Sequence, residues 1–162
     1  MKVGKVSESV LKRSVLKQIT NQNSEVKNGA GIGEDCAVFA QKNGYTVQSV
    51  QTFFVTSPSE VYVPIMKAVN GIAVKGAHPV AVLLTLLLPT ETEESFLKEL
   101  MKKANEAAGI LHIQIAGGHT EVSENCSTPY VTATAIGSVE GEALFENHIR
   151  PGQDIVLTKQ VG

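Results

Sequence analysis

Tryptophan is absent from this chain of 162 residues, cysteine occurs twice, and acidic and basic residues nearly balance at 16 against 14. Each scarcity closes off a class of function. With aromatics at 5% and no Trp, the chain lacks the platform on which nucleic-acid bases stack. A net charge of −2 supplies no basic footprint for nucleic acid or an anionic membrane. Cys36 and Cys126 are too few and too unpatterned for a disulfide framework or a zinc site, and read as two reduced thiols of a cytoplasmic protein. The longest apolar run, residues 80–88, is interrupted only by Thr85 and falls well short of the ~20 residues a membrane span needs. Lys2 and Lys5 are followed by Ser7-Glu8-Ser9, not by the apolar core of a signal peptide. There is no internal repeat and no low-complexity tract. The expectation is a cytoplasmic chain with no nucleic-acid or membrane partner.

What is present is enough for one folded unit. At 43% apolar residues, a chain of this length can bury roughly 70% of its unfolded surface. Ser7 or Ser9 can cap a first helix carrying Val10, Leu11, Val15, Leu16 and Ile19. Residues 21–33 are polar and Gly-rich, hence a loop. Two strand-like runs follow, residues 37–40 and 45–55, around the hairpin signal Asn43-Gly44. Ser57-Pro58-Ser59-Glu60 is a capping box with proline at the first helical position. It predicts a helix to about Lys75 with Val61, Ile65, Ala68, Val69 and Ile72 on one face.

Residues 80–88 then read as a strand buried on both faces or lying at a subunit interface. Pro89-Thr90 with Glu93 opens a helix whose apolar face is Phe96, Leu97, Leu100, Met101, Ala104 and Ala108. Strands at 112–116, 128–138 and 154–158 complete the pattern. The order predicts an α+β fold, a mixed β-sheet with helices packed on one face. The chain stops on Gly162 directly after an apolar run, where a frayed polar end is the usual finding. That suggests the start of a further unit.

Two glycine clusters carry the chemistry. Gly29-Ala30-Gly31-Ile32-Gly33-Glu34-Asp35 precedes one strand, and Ala116-Gly117-Gly118-His119-Thr120-Glu121-Val122 follows another. Paired glycines after a strand allow a sharp turn and let a ligand approach the backbone amides.

Gly31-Ile32-Gly33-Glu34-Asp35-Cys36-Ala37-Val38, Asn70-Gly71-Ile72-Ala73-Val74-Lys75-Gly76-Ala77-His78-Pro79, Leu84-Thr85-Leu86-Leu87-Leu88-Pro89, Gly117-Gly118-His119-Thr120-Glu121-Val122 and the segment from Pro151 to Lys159 occur in one order. In that order they resemble the N-terminal domain of the aminoimidazole ribonucleotide (AIR) synthetase superfamily, nearest to its synthetase-related and hydrogenase-maturation-like members. The resemblance covers the chain from Gly29 onward, leaving 1–28 as an N-terminal helix and loop and 29–162 as the family domain.

It implies that two copies pair as a homodimer and that their sheets form a β-barrel at its centre. It also implies that ATP binds near the interface with Mg²⁺ on carboxylates. A C-terminal domain, beginning just beyond Gly162 in relatives, completes the substrate site. The implied chemistry is ATP-dependent phosphorylation of an amide- or carbamoyl-like oxygen. The implied nucleotide contacts are Gly31, Gly33, Glu34, Asp35, Asn70, Gly117, Gly118, His119 and Thr120, with Asp35 and Glu121 as metal ligands.

The departures bear on the metal. Relatives commonly carry an Asp where this chain has Gln51 or Thr52, another at Gly71, and an acid at His119. Asp35 and Asp154 are the only aspartates in the chain. Mg²⁺ prefers hard oxygen ligands, whereas an imidazole at 119 suits transition metals. The local anionic charge is reduced, and Gly71→Asp is expected to strengthen Mg-ATP binding.

Plainer readings stand beside these. Glu34 and Asp35 can be a solvated loop pair, and His119 and Glu121 ordinary turn residues. His78 and Lys75 can complement the dipole at a helix C-terminus, with phosphate contact the second reading for Lys75. His112 and His148 carry no assigned role. Three functions remain open: the ATP-binding domain of a synthetase-like enzyme, a non-catalytic dimerisation module derived from that family, and a small-molecule binder without phosphoryl transfer. The long apolar runs at 80–88 and 130–136 predict a homodimer.

Overall fold

The computed structural model describes residues 2–141, 144–145 and 149–157. A short helix, α1 (Glu8–Ser14), and a 3₁₀ turn at Leu16–Gln18 lead into β1 (Val26–Asn28), β2 (Ala37–Gln41) and β3 (Gly44–Phe54). A 3₁₀ turn at Pro58–Val61 opens directly into α2 (Tyr62–Ala73). Strand β4 (His78–Leu88), helix α3 (Glu94–Ile110), and strands β5 (Gln114–Val122) and β6 (Tyr130–Glu140) follow. The six strands form one sheet in the order β1-β2-β3-β6-β4-β5. All pairs are antiparallel except β4–β5, which are joined through α3 and run parallel. The fold is α+β with a mixed sheet, as the pattern of elements predicts.

Period-two alternation sorts the strands onto two faces. Val47 and Ser49 of β3, Val82, Leu84, Leu86 and Leu88 of β4, and Val131, Ala133 and Ala135 of β6 are all buried. They pack with Ile65, Ala68, Val69 and Ile72 of α2 and Leu100, Ala104, Ala107 and Ala108 of α3 in one core. The other face carries neither α2 nor α3. Strand β4 is therefore buried on one side only within a single copy, not on both: Leu83 remains 36% exposed.

The capping box forms as read. Glu60 Oε2 accepts from Ser57 N at 3.0 Å and Pro58 takes the first position of the turn. Helix α3 closes in a Schellman arrangement, with Ile113 N donating to Ala108 O at 3.0 Å and His112 N to Gly109 O at 3.2 Å. His112 supplies the left-handed residue, φ 54°, so it has a conformational role that its sequence context did not announce.

Several expectations are corrected. The first helix stops at Ser14 and buries nothing, because Val15 and Ile19 find no core and stay exposed. The loop at 21–33 contains β1, an edge strand pairing β2. Gly117 and Gly118 do not turn the chain: β5 runs through them to Val122 beside β4, after a bulge between Ile115 and Gly117. Gly118 is glycine because the parallel neighbour comes so close that a Cβ would sit on the Leu84 carbonyl. His78 opens β4 and does not end α2.

The strand expected at 154–158 is not formed over 154–157, where Ile155, Val156 and Leu157 are at least 70% exposed with no ladder partner. Thr158, His148 and 159–162 lie outside the described residues. Among the described residues no helix is long and apolar enough to cross a membrane.

Candidate functional site

The upstream glycine cluster forms the link from β1 to β2, along one edge of the sheet. Gly33 takes φ 79°, a left-handed turn that presents Glu34 and Asp35 at the mouth of a cleft of about 370 Å³. Gly29, Cys36, Ser49 and Thr134 line the same cleft. The Ser49 hydroxyl donates to the Asp35 carbonyl at 2.8 Å, fixing the loop's backbone onto β3. Directly below, Gly71 of α2 faces Ser49 so closely that a Cβ would overlap its Oγ. Position 71, expected from the resemblance to be a lost metal ligand, is a helix-to-sheet contact here, and a side chain added there would meet Ser49 first.

Glu34 is the best-held group in the loop. Its Oε2 accepts from Asn28 Nδ2 at 2.6 Å and lies 3.3 Å from Lys75 Nζ. The Asn28 amide foremost, with Lys75 behind it, holds the Glu34 carboxyl below its ordinary value against the opposing effect of burial. Lys75 follows the last turn of α2, and its side chain is only 12% exposed. It therefore does more than complement the helix dipole, since its ammonium pairs with Glu34. Burial pushes the Cys36 thiol up, which keeps it protonated and makes it a poor nucleophile. A second cleft of about 610 Å³ lies between the loop and Leu16, Ile19 and Asn21 of the N-terminal segment, and Glu34 lines it too.

The downstream cluster lies on β5, the opposite edge. His119 and Glu121 project side by side, Nε2 to Oε2 3.2 Å, both more than half exposed. Gly117, Gly118 and Thr120 border a cleft of about 380 Å³ with Leu84 and Met101. The sheet register continues the row Thr52–Thr132–Thr85 into His119, and Phe54–Tyr130–Leu87 into Glu121. His119 and Glu121 therefore border the face that no helix covers. Asn70 is exposed on α2.

Four strand spacings separate β5 from β2, about 19 Å. Within one copy Asp35 and Glu121 cannot share an ion, and Gly31, Gly33, Glu34 and Asp35 stay apart from Gly117, Gly118, His119 and Thr120. Among the described residues no three His, Cys, Asp or Glu side chains gather to hold a metal. Protein-held Mg²⁺ takes one or two free carboxylates alongside waters and phosphates. Among the described residues the loop offers Asp35 as its one carboxylate outside an ion pair, since Glu34 Oε2 is engaged by Asn28 and Lys75. One copy therefore brings a single open carboxylate of this loop to any Mg²⁺, the low end of what a site shared with phosphates and waters uses.

Sequence reasoning missed Asn28 and Ser49, and did not pair Lys75 with Glu34. Nothing in the local sequence of an Asn at the end of a short strand, or of a Ser in an alternating one, marks the contacts they make.

A mixed sheet with helices on one face and a glycine-rich loop at its edge defines an α+β domain with a preformed loop site. The profile of the family "AIR synthase related protein, N-terminal domain" matches residues 33–139, and the chain belongs to that family. It is 26% identical over 171 residues to a hydrogenase expression/formation protein of Methanocaldococcus jannaschii, covering 98% of this chain and 49% of the relative. It is 28% identical over 143 residues to the thiamine-monophosphate kinase of Bacillus subtilis, covering 82% and 43%. Among solved structures, a hydrogenase maturation protein in complex with ATP superposes with a TM-score of 0.54 at 18% identity. That match covers 85% of this chain and 41% of the other, and at this identity it speaks for the fold alone. The chain spans about half the length of the curated relatives it matches.

Proposed function

We propose that this chain is the nucleotide-binding N-terminal part of an AIR synthetase-like enzyme, with ATP phosphates received at the Gly29–Asp35 loop. The observation that carries the reading is the loop itself. It is held in shape by Ser49, Asn28 and Lys75, it opens on two adjoining clefts, and it belongs to a family with an ATP-bound structural neighbour. Joined to the C-terminal half that relatives carry, such a domain would support phosphorylation of an amide- or carbamoyl-like oxygen. Phosphoryl transfer of that kind depends on positioning and on neutralising the phosphate charge.

The second edge enters through a homodimer. The strands β3, β6 and β4 present Val50, Thr52, Phe54, Tyr130, Thr132, Thr134, Leu83 and Leu87 on the uncovered face, with no charged side chain among them. Two copies related by a two-fold axis along the strands would pair these faces. That arrangement sets His119, Glu121 and the glycines of one copy toward the Asp35 loop of the other. Any Mg²⁺ would then draw on Asp35 and Glu121 from different copies.

The uncharged centre of that face and the ion-paired Glu34 also favour a second reading, a dimerisation module that does not turn over nucleotide. Calorimetry with a non-hydrolysable ATP analogue, with and without Mg²⁺, separates them. Binding in either condition supports the nucleotide site. Absence of binding in both, on a folded dimer, leaves the module.

A further inference from the structure

We propose that Lys75 is a built-in replacement for a divalent cation at the glycine-rich loop: its ammonium occupies the Glu34 carboxylate and withholds it from metal. The side chain is placed by the fold. Lys75 follows α2 and precedes Gly76, whose φ of 77° turns the chain away toward β4. The Lys75 carbonyl accepts from Phe145 N at 3.1 Å, and Leu144 and Phe145 wall the pocket that holds Lys75 and Glu34. With 12% of its side chain exposed, Lys75 has little freedom to leave.

On the carboxylate's side, Glu34 Oε2 receives an amide N–H from Asn28 and the ammonium of Lys75, so its charge is already partnered. A metal ion competing for Glu34 Oε2 would have to displace a fixed unit charge and strip a short hydrogen bond, and on Oε1 it would share one carboxylate with the ammonium, whose Nζ lies 3.3 Å from Oε2. Repulsion between two cations at that range disfavours joint occupancy in a partly buried site. The Glu34 charge is thereby balanced and the loop shaped before any ligand arrives. The consequence for nucleotide, which rests on the reading above, is that binding at this loop draws on no metal held by Glu34.

The test is a Mn²⁺ titration of the whole chain without nucleotide, read by electron paramagnetic resonance. The affinity of the wild type is expected to be weak and unchanged within about twofold by Glu34→Gln. Lys75→Met is expected to tighten Mn²⁺ binding by about tenfold or more, the scale of one neighbouring unit charge. Lys75→Arg should behave as wild type, and adding Glu34→Gln to Lys75→Met should erase the gain.

Weaker Mn²⁺ binding in Glu34→Gln alone would show that Glu34 already holds metal beside Lys75, and overturns the proposal. A folded Lys75→Met chain that binds Mn²⁺ no more tightly than wild type overturns it as well. Should Lys75→Met fail to fold by circular dichroism, the wild-type and Glu34→Gln comparison decides. A missing nucleotide site would show in the calorimetry and leave these metal titrations unaffected.

Discussion

Gly71 illustrates how a small residue can be required by the contact of a helix with a sheet. Helix α2 lies on the sheet where Ser49 is buried and donating to Asp35 O, so a side chain at 71 would strike Ser49 Oγ and Cβ. Overpacking of this kind costs roughly 1–3 kcal/mol. Gly71→Ala is expected to lower stability by that amount in urea unfolding, and Gly71→Asp by at least as much, without improved Mg-ATP binding. A Gly71→Asp chain of unchanged stability that bound Mg-ATP more tightly would return this position to the metal. His112 offers the opposite case. It occupies the left-handed position that closes α3, where a side chain costs about 1 kcal/mol relative to glycine. His112→Gly should therefore raise the unfolding free energy by about 0.5–1 kcal/mol, read from the urea midpoint at constant slope.

Among the elements, the clasp between the β1–β2 loop and the end of α2 gives a pH signature. The Glu34 carboxyl is held below its ordinary 4.5 in the folded chain. Its stabilising effect is complete above that value and is lost as the pH falls through the lowered one. The wild type is expected to lose stability more steeply than Glu34→Gln as the pH falls below 4.5, followed by urea midpoints at several pH values. Parallel curves would mean that the pairing with Asn28 and Lys75 contributes nothing in solution.

The same clasp marks the limit of what was legible beforehand. Elements with a strong local signature were readable: the capping box at Ser57 and Glu60, the Asn43-Gly44 hairpin, and the apolar stripes of α2 and α3. Both glycine clusters were located, but the downstream one was read as a turn. Nothing local distinguishes a glycine that bends from one that admits a neighbouring backbone, as Gly118 admits Leu84. The Glu34–Lys75 pair and the Ser49 contact join residues far apart in sequence, and only the register of the sheet brings them together.

Among the described residues, the sheet has one face covered by α2 and α3 and the other without a helix on it. On the bare face the Phe54 and Tyr130 rings lie 4.3 Å apart, and the Thr52 and Thr132 hydroxyls share a hydrogen bond of 2.9 Å. Val50 and Phe54 are more than half exposed. An uncharged patch built on three long strands is costly to leave in water, and a stable pair needs about 800 Å² from each copy. Thr132 lies near its centre, between Thr52 and Thr85, with its side chain away from the core. Thr132→Arg should leave the fold intact by circular dichroism, because it disturbs no core contact. In a face-to-face dimer, however, it would bury two unpaired charges against each other, which is strongly unfavourable. Light scattering at micromolar concentration is expected to give a dimer for the wild type and a monomer for this variant. If the Asp35 loop works with His119 and Glu121 of the other copy, the monomer should also lose most of its affinity for the ATP analogue. A monomeric wild type would remove the paired-face reading and leave both glycine clusters as separate edges of one sheet. A dimeric Thr132→Arg chain would place the contact elsewhere, with the exposed β5 edge the next surface to probe.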